Sequence, residues 1–155
     1  MLAERTYSIP VAAGLGLAAL ALTPLSASAA DGAAIFNTEC AACHQERGIG
    51  APGLAPPLNS PIIVNAAKKN AAYVPLVILN GLSGKLPLAD GTEISNIMPP
   101  FSFRLNDEEI AAVAQYVYGD LNGATFPVKP EDITRQRAEK PTAKDLRAMR
   151  EAFMP

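Results

Sequence analysis

The sequence predicts an all-α fold, and three observations carry that prediction. Residues 106–118 hold Ile110, Val113, Ala114 and Val117 at i, i+3, i+4 and i+7, which is one apolar helix stripe. Asn106 stands before that stripe with Glu109 three residues on, and Gly119 follows it, giving helix signals at both ends. No stretch shows the period-two alternation of a half-buried strand over a convincing length, and no internal repeat is present.

The elements follow in order. Arg5, the apolar residues 9–22 and Ala27-Ser28-Ala29 read as an export signal over residues 1–29, cut after Ala29 or Ala30. A retained membrane anchor is the competing reading, but Pro10 and Pro24 bracket a run shorter than the ~20 apolar residues that span lipid. Asp31 caps a helix that carries Ala33, Ala34, Ile35 and Phe36 into the cysteine pair. Residues 48–61 hold too many glycines and prolines for a helix or a central strand and form an ordered loop. Ser60-Pro61 starts a short helical turn. A further helix begins near Asn70 or Pro75 and ends at Asn80, with Gly81 as its terminator. Residues 82–100 return to turn chemistry through Ser83-Gly84, Asp90-Gly91 and Met98-Pro99-Pro100, and are expected to form a loop.

From Gly123 onward the composition shifts to charged residues broken by Pro127, Pro130 and Pro141. This reads as a tail outside the core, residues 123–155, either solvated or docking on a partner. Within it Thr142 and Asp145 mark the start of a last short helix with Leu146, Met149 and Phe153 on one side, packed on the body or on a partner.

The formal charge of −2, with no basic stripe, argues against nucleic acid as a partner. Chemistry concentrates elsewhere. The chain has two cysteines and one histidine, and all three fall in Cys40-Ala41-Ala42-Cys43-His44, the spacing of a c-type haem attachment signature. On a helical turn, positions i, i+3 and i+4 share a face, so both thiols reach the two vinyl groups while the imidazole comes up beneath the iron. With no Trp and few other aromatics, a core of this size also gains from a large apolar prosthetic group. A zinc site lacks the four N or S ligands it needs, and a thioredoxin-like pair lacks its βαβ setting. A blue-copper site would need a second histidine. A plain disulfide in an oxidising compartment is the remaining alternative.

These residues carry a resemblance. With Gly32 and Phe36 ahead of the motif, Pro56-Pro57-Leu58 after it, Met98-Pro99-Pro100-Phe101 and the helix at 105–118, residues 31–123 resemble the class I c-type cytochromes. Within that group they are most similar to the haem domains of cytochrome subunits of periplasmic dehydrogenases. The resemblance implies a small cytochrome c fold over residues 30–122, with N- and C-terminal helices crossing at Gly32 and Phe36 and loops wrapping one covalent haem c. It implies Met98 as the sixth iron ligand opposite His44, the alternative being that Met98 merely fills core space, Pro56, or Pro57 one position on, as the carbonyl that holds the His44 ring, and Leu58 packed on the haem. A thioether opposite an imidazole favours ferrous iron and raises the potential. An iron with both axial positions filled leaves outer-sphere electron transfer, so the expectation is a periplasmic, non-enzymatic electron carrier of the respiratory chain. Its donor would be a periplasmic dehydrogenase and its acceptor an oxidase or another cytochrome, with membrane association only through an uncleaved signal or a partner. The alternative is a haem-based sensor or ligand-binding protein in which Met98 is labile.

Overall fold

The computed structural model describes residues 29–155, so the expected export signal falls, apart from Ala29, outside the described residues. Asp31 caps α1 (Gly32–Ile35) through a side-chain oxygen that accepts from Ala34 N at 3.1 Å. The chain continues without a break through a π turn (Phe36–Cys40) into α2 (Ala41–His44). A π turn inserts an extra residue into the spiral and so re-aims the side chains that follow it. Gln45 then takes φ 62 and ends the helix directly after His44.

Two helices follow the loop. α3 (Pro61–Lys69) starts with Pro61 at its first position and runs well beyond the single turn expected from Ser60-Pro61. α4 (Tyr73–Asn80) buries every residue from Tyr73 to Leu79 and stops at Gly81. α5 (Asp107–Gln115) has the reciprocal Asn106/Glu109 cap, with bonds of 2.9 and 2.8 Å, and buries Ile110, Val113 and Ala114. It does not end at Gly119, as the sequence suggests. A second π turn (Tyr116–Asp120) carries it past that glycine, with Val117 still buried. α1 crosses α5 so closely that a Cβ on Gly32 would stand 2.1 Å from Ala112 O. Phe36, fully buried, packs on Tyr116 with ring centroids 5.2 Å apart.

The all-α expectation needs correction between residues 82 and 98. There β1 (Leu82–Pro87) and β2 (Glu93–Met98) form an antiparallel hairpin, pairing Leu82 with Met98 and Leu86 with Ile94. Asp90 Oδ1 accepts from Thr92 N at 2.9 Å and from its hydroxyl at 2.6 Å, fixing the connecting turn. Few alternating apolar residues mark these strands, and a lone hairpin is marginal in water. Contacts from the far end of the chain supply what the local sequence lacks.

Those contacts come from the segment expected to lie outside the core. α6 (Pro130–Gln136) begins at Pro130, where the composition suggests a break, and α7 (Ala143–Glu151) has the Thr142/Asp145 cap. Ile133 and Leu146 are fully buried and Phe153 nearly so, all within the one core cluster. Arg137 pairs with Asp107 and donates to Ser102 O at 2.7 Å and Leu105 O at 2.6 Å, fastening α6 to the start of α5. Arg147 reaches Ser83 O and lies over Gly84, while Arg150 donates to Pro87 O at 2.8 Å. No single helix among the described residues is long and apolar enough to cross a membrane.

Candidate functional site

A cavity of about 350 Å³ lies between the N-terminal helical run, the loop after it, α4, α5 and the hairpin. Cys40, Cys43, His44, Pro56, Leu58 and Met98 all line it. The helical run ends in this wall: Cys40 is half-buried, Cys43 exposed and His44 only 7% exposed. The two cysteines are not joined to each other in a disulfide. Burial, with the neighbouring Glu39 and Cys43, pushes the Cys40 thiol up to about 11, so it stays protonated near neutral pH. Burial lowers the basicity of His44, partly offset by its bond to the Pro56 carbonyl.

That bond settles which nitrogen carries the proton. A carbonyl only accepts, so His44 Nδ1 donates to Pro56 O at 2.9 Å, and Nε2 keeps its lone pair. The loop is held for this purpose by its own backbone. Gly50 N donates to His44 O at 2.8 Å, and Leu58 N to Gly48 O at 2.7 Å. At Gly50 φ is 77, and a Cβ would come within 2.6 Å of Pro57 N, so a side chain there would drive the Pro56-Pro57 peptide away from the imidazole. Asn122 fastens the far side, donating to Leu58 O at 2.8 Å and Val117 O at 2.7 Å and accepting from Ser60 N at 3.1 Å.

Met98 closes β2 as a half-buried residue against the core. Phe101 N donates to Ile78 O at 2.9 Å, which anchors the Pro99-Pro100 segment to α4. The rest of the wall is mainly apolar, from Val74, Val77 and Ile78 on α4, Leu82, Leu86 and Ile94 on the hairpin, and Val113 and Val117 beyond. Three charged side chains also line it: Glu39, Arg104 and Arg150. Glu39 Oε2 and Arg104 Nη2 pair at 2.5 Å, an ion pair without hydrogen-bond alignment. Sequence reading singled out neither this pair nor the buried Arg150, since charged residues in polar runs give no sign of burial. The geometry joins two thiols, an imidazole with one free nitrogen and a thioether around an apolar cavity. That donor set fits a flat macrocycle held through sulfur and not a bare metal ion, and no group of three or more His, Cys, Asp or Glu side chains placed to hold a metal occurs among the described residues.

Comparison with known proteins bears on the same residues. The sequence model of the cytochrome c family matches residues 29–119. Cytochrome c-552 of Thermus thermophilus is 36% identical over 140 residues, covering 86% of this chain and 93% of that protein. The gluconate 2-dehydrogenase cytochrome c subunit of Pantoea cypripedii is 31% identical over 111 residues, 70% of this chain but 24% of that subunit. The cytochrome c subunit of the quinone alcohol dehydrogenase of Gluconobacter oxydans is 31% identical over 108 residues, 68% of this chain and 22% of the subunit. The chain thus corresponds to about a quarter of each dehydrogenase subunit and to nearly the whole of cytochrome c-552. It belongs to the cytochrome c family, proteins that transfer electrons through a covalently bound haem c, whose attachment motif Cys40, Cys43 and His44 fit.

Proposed function

We propose that this chain is an exported, periplasmic carrier whose haem iron is held between His44 Nε2 and Met98 Sδ, with the 48–60 loop and the hairpin wrapping the macrocycle. It takes electrons from a dehydrogenase and passes them to an oxidase or another cytochrome of the respiratory chain. The observation that carries this reading is the 2.9 Å bond from His44 Nδ1 to Pro56 O, which leaves the other ring nitrogen free in a cavity that Met98 also lines. A haem bound there supplies one-electron chemistry. The protein's part is to hold the ring, to fix the imidazole tautomer and to keep water from the iron. His44 and Met98 would together hold the iron and leave it no site for substrate, and the reading is of a carrier without catalysis of its own. The dehydrogenase donor is supported by the likeness to cytochrome subunits of two such enzymes.

The oxidised protein should show the weak far-red band of a thioether bound to ferric iron. Met98→Leu should abolish that band and lower the midpoint potential by at least about 59 mV, one decade of lost preference for ferrous iron. A band that survives the substitution would place the sixth ligand elsewhere. Absence of the band with fast CO binding in the native protein would favour the sensor reading.

A further inference from the structure

We propose that Arg150 binds a carboxylate of the haem, and that through it the C-terminal helix helps set the potential of the iron. The inference rests on the haem lying in the cavity described above.

Arg150 stands in the last turn of α7, only 7% exposed, and lines the same cavity as Cys40 and Met98. Its Nη1 donates to Pro87 O at 2.8 Å and lies 3.8 Å from Met154 Sδ. Among the described residues it forms no ion pair, and its remaining N–H groups have no hydrogen-bond partner. Glu39, the one carboxylate in the cavity wall, already faces Arg104. A guanidinium buried without a counter-charge is costly, and a planar fork of donors is suited to a carboxylate. Haem c brings two carboxylates on short flexible arms into this cavity. Pairing one of them with Arg150 gives the buried cation its missing anion and leaves the Pro87 bond intact. The other groups near the guanidinium do not substitute for it. Tyr73, the titratable side chain that interacts with it, has its phenol pushed up to about 12 by burial and stays neutral, and Arg147 on the same helix is engaged with Ser83 O.

The test uses the haem-loaded full chain and follows midpoint potential from about pH 5 to pH 9. Arg150→Gln, which keeps a donor for Pro87 O, should lower the potential on the alkaline side and steepen its pH dependence, because an unpaired carboxylate takes up a proton as the iron is reduced. Arg147→Met loses the hairpin contact but no cation facing the haem, and should keep the native slope. A glutamine variant whose curve parallels the native one, or an Arg147→Met curve that matches that of Arg150→Gln, overturns the proposal. A second measurement needs no neutral variant: in Arg150→Lys the carboxylate bands of the reduced-minus-oxidised infrared difference spectrum should shift, and coincident bands overturn the proposal. Haem mass on the native polypeptide separates the two readings. Its absence would remove the cavity assignment, whereas a haem-bearing variant with unchanged behaviour removes Arg150 alone.

Discussion

A Cβ built on Gly81 stands 2.6 Å from the carbonyl oxygen of Met98, and Pro100 N is only 2.9 Å away. The glycine has φ 74, so it both ends α4 and lets the segment carrying Met98 lie against the helix end. Gly81→Ala therefore meets backbone strain and a clash with main-chain atoms that have no flexible end to move. It should cost about 1–3 kcal/mol in urea unfolding and weaken the far-red band of the oxidised protein. An alanine variant with native stability and a native band would mean that the Met98 segment moves freely.

Tyr118 is fully buried, and its hydroxyl bridges two elements, donating to Ala71 O at 3.1 Å and accepting from Val74 N at 3.1 Å. Tyr118→Phe leaves Ala71 O, in the link between α3 and α4, and Val74 N, in the first turn of α4, without that partner. We expect a loss of about 1–3 kcal/mol with an unchanged haem spectrum. A loss under about 0.5 kcal/mol would show that water takes the hydroxyl's place.

Asp107 accepts from Thr134 and pairs with Arg137, which together hold its carboxyl below the usual carboxylate range. A depressed folded value means that the stabilisation is complete above the unfolded value of about 4 and is lost as pH falls through the lower folded value. Asp107→Asn should thus be less stable at pH 7 by about 1 kcal/mol, a modest figure because the pair is partly screened by solvent. The gap between the two proteins should close as pH falls below about 4. A gap that stays constant down to pH 2 would assign the effect to lost packing and not to charge.

What the sequence made legible was what is decided locally. The Asn106/Glu109 and Thr142/Asp145 caps, the stripe of Ile110, Val113 and Ala114, and the thiol and imidazole spacing of 40–44 all depend on residues three or four apart. The hairpin was illegible because Ser83, Gly84 and Pro87 become strand through Arg147 and Arg150, more than sixty residues away. The two π turns leave no mark in apolar spacing, so Gly119 looked like a stop. α6 and α7 looked external because their charges outnumber their apolar side chains, yet Ile133, Leu146 and Phe153 suffice to seat them. Burial of Arg150 is likewise a property of the assembled molecule, since it lies in a charged run beside the exposed Glu151 and nothing local marks it as inward.

The brace that α7 gives the hairpin also ties the cavity wall to a distant part of the chain. Arg147 and Arg150 hold Ser83 and Pro87 on a strand whose first residue, Leu82, pairs with Met98. Loosening of the last helix is therefore transmitted along β1 to the Met98 end of the hairpin.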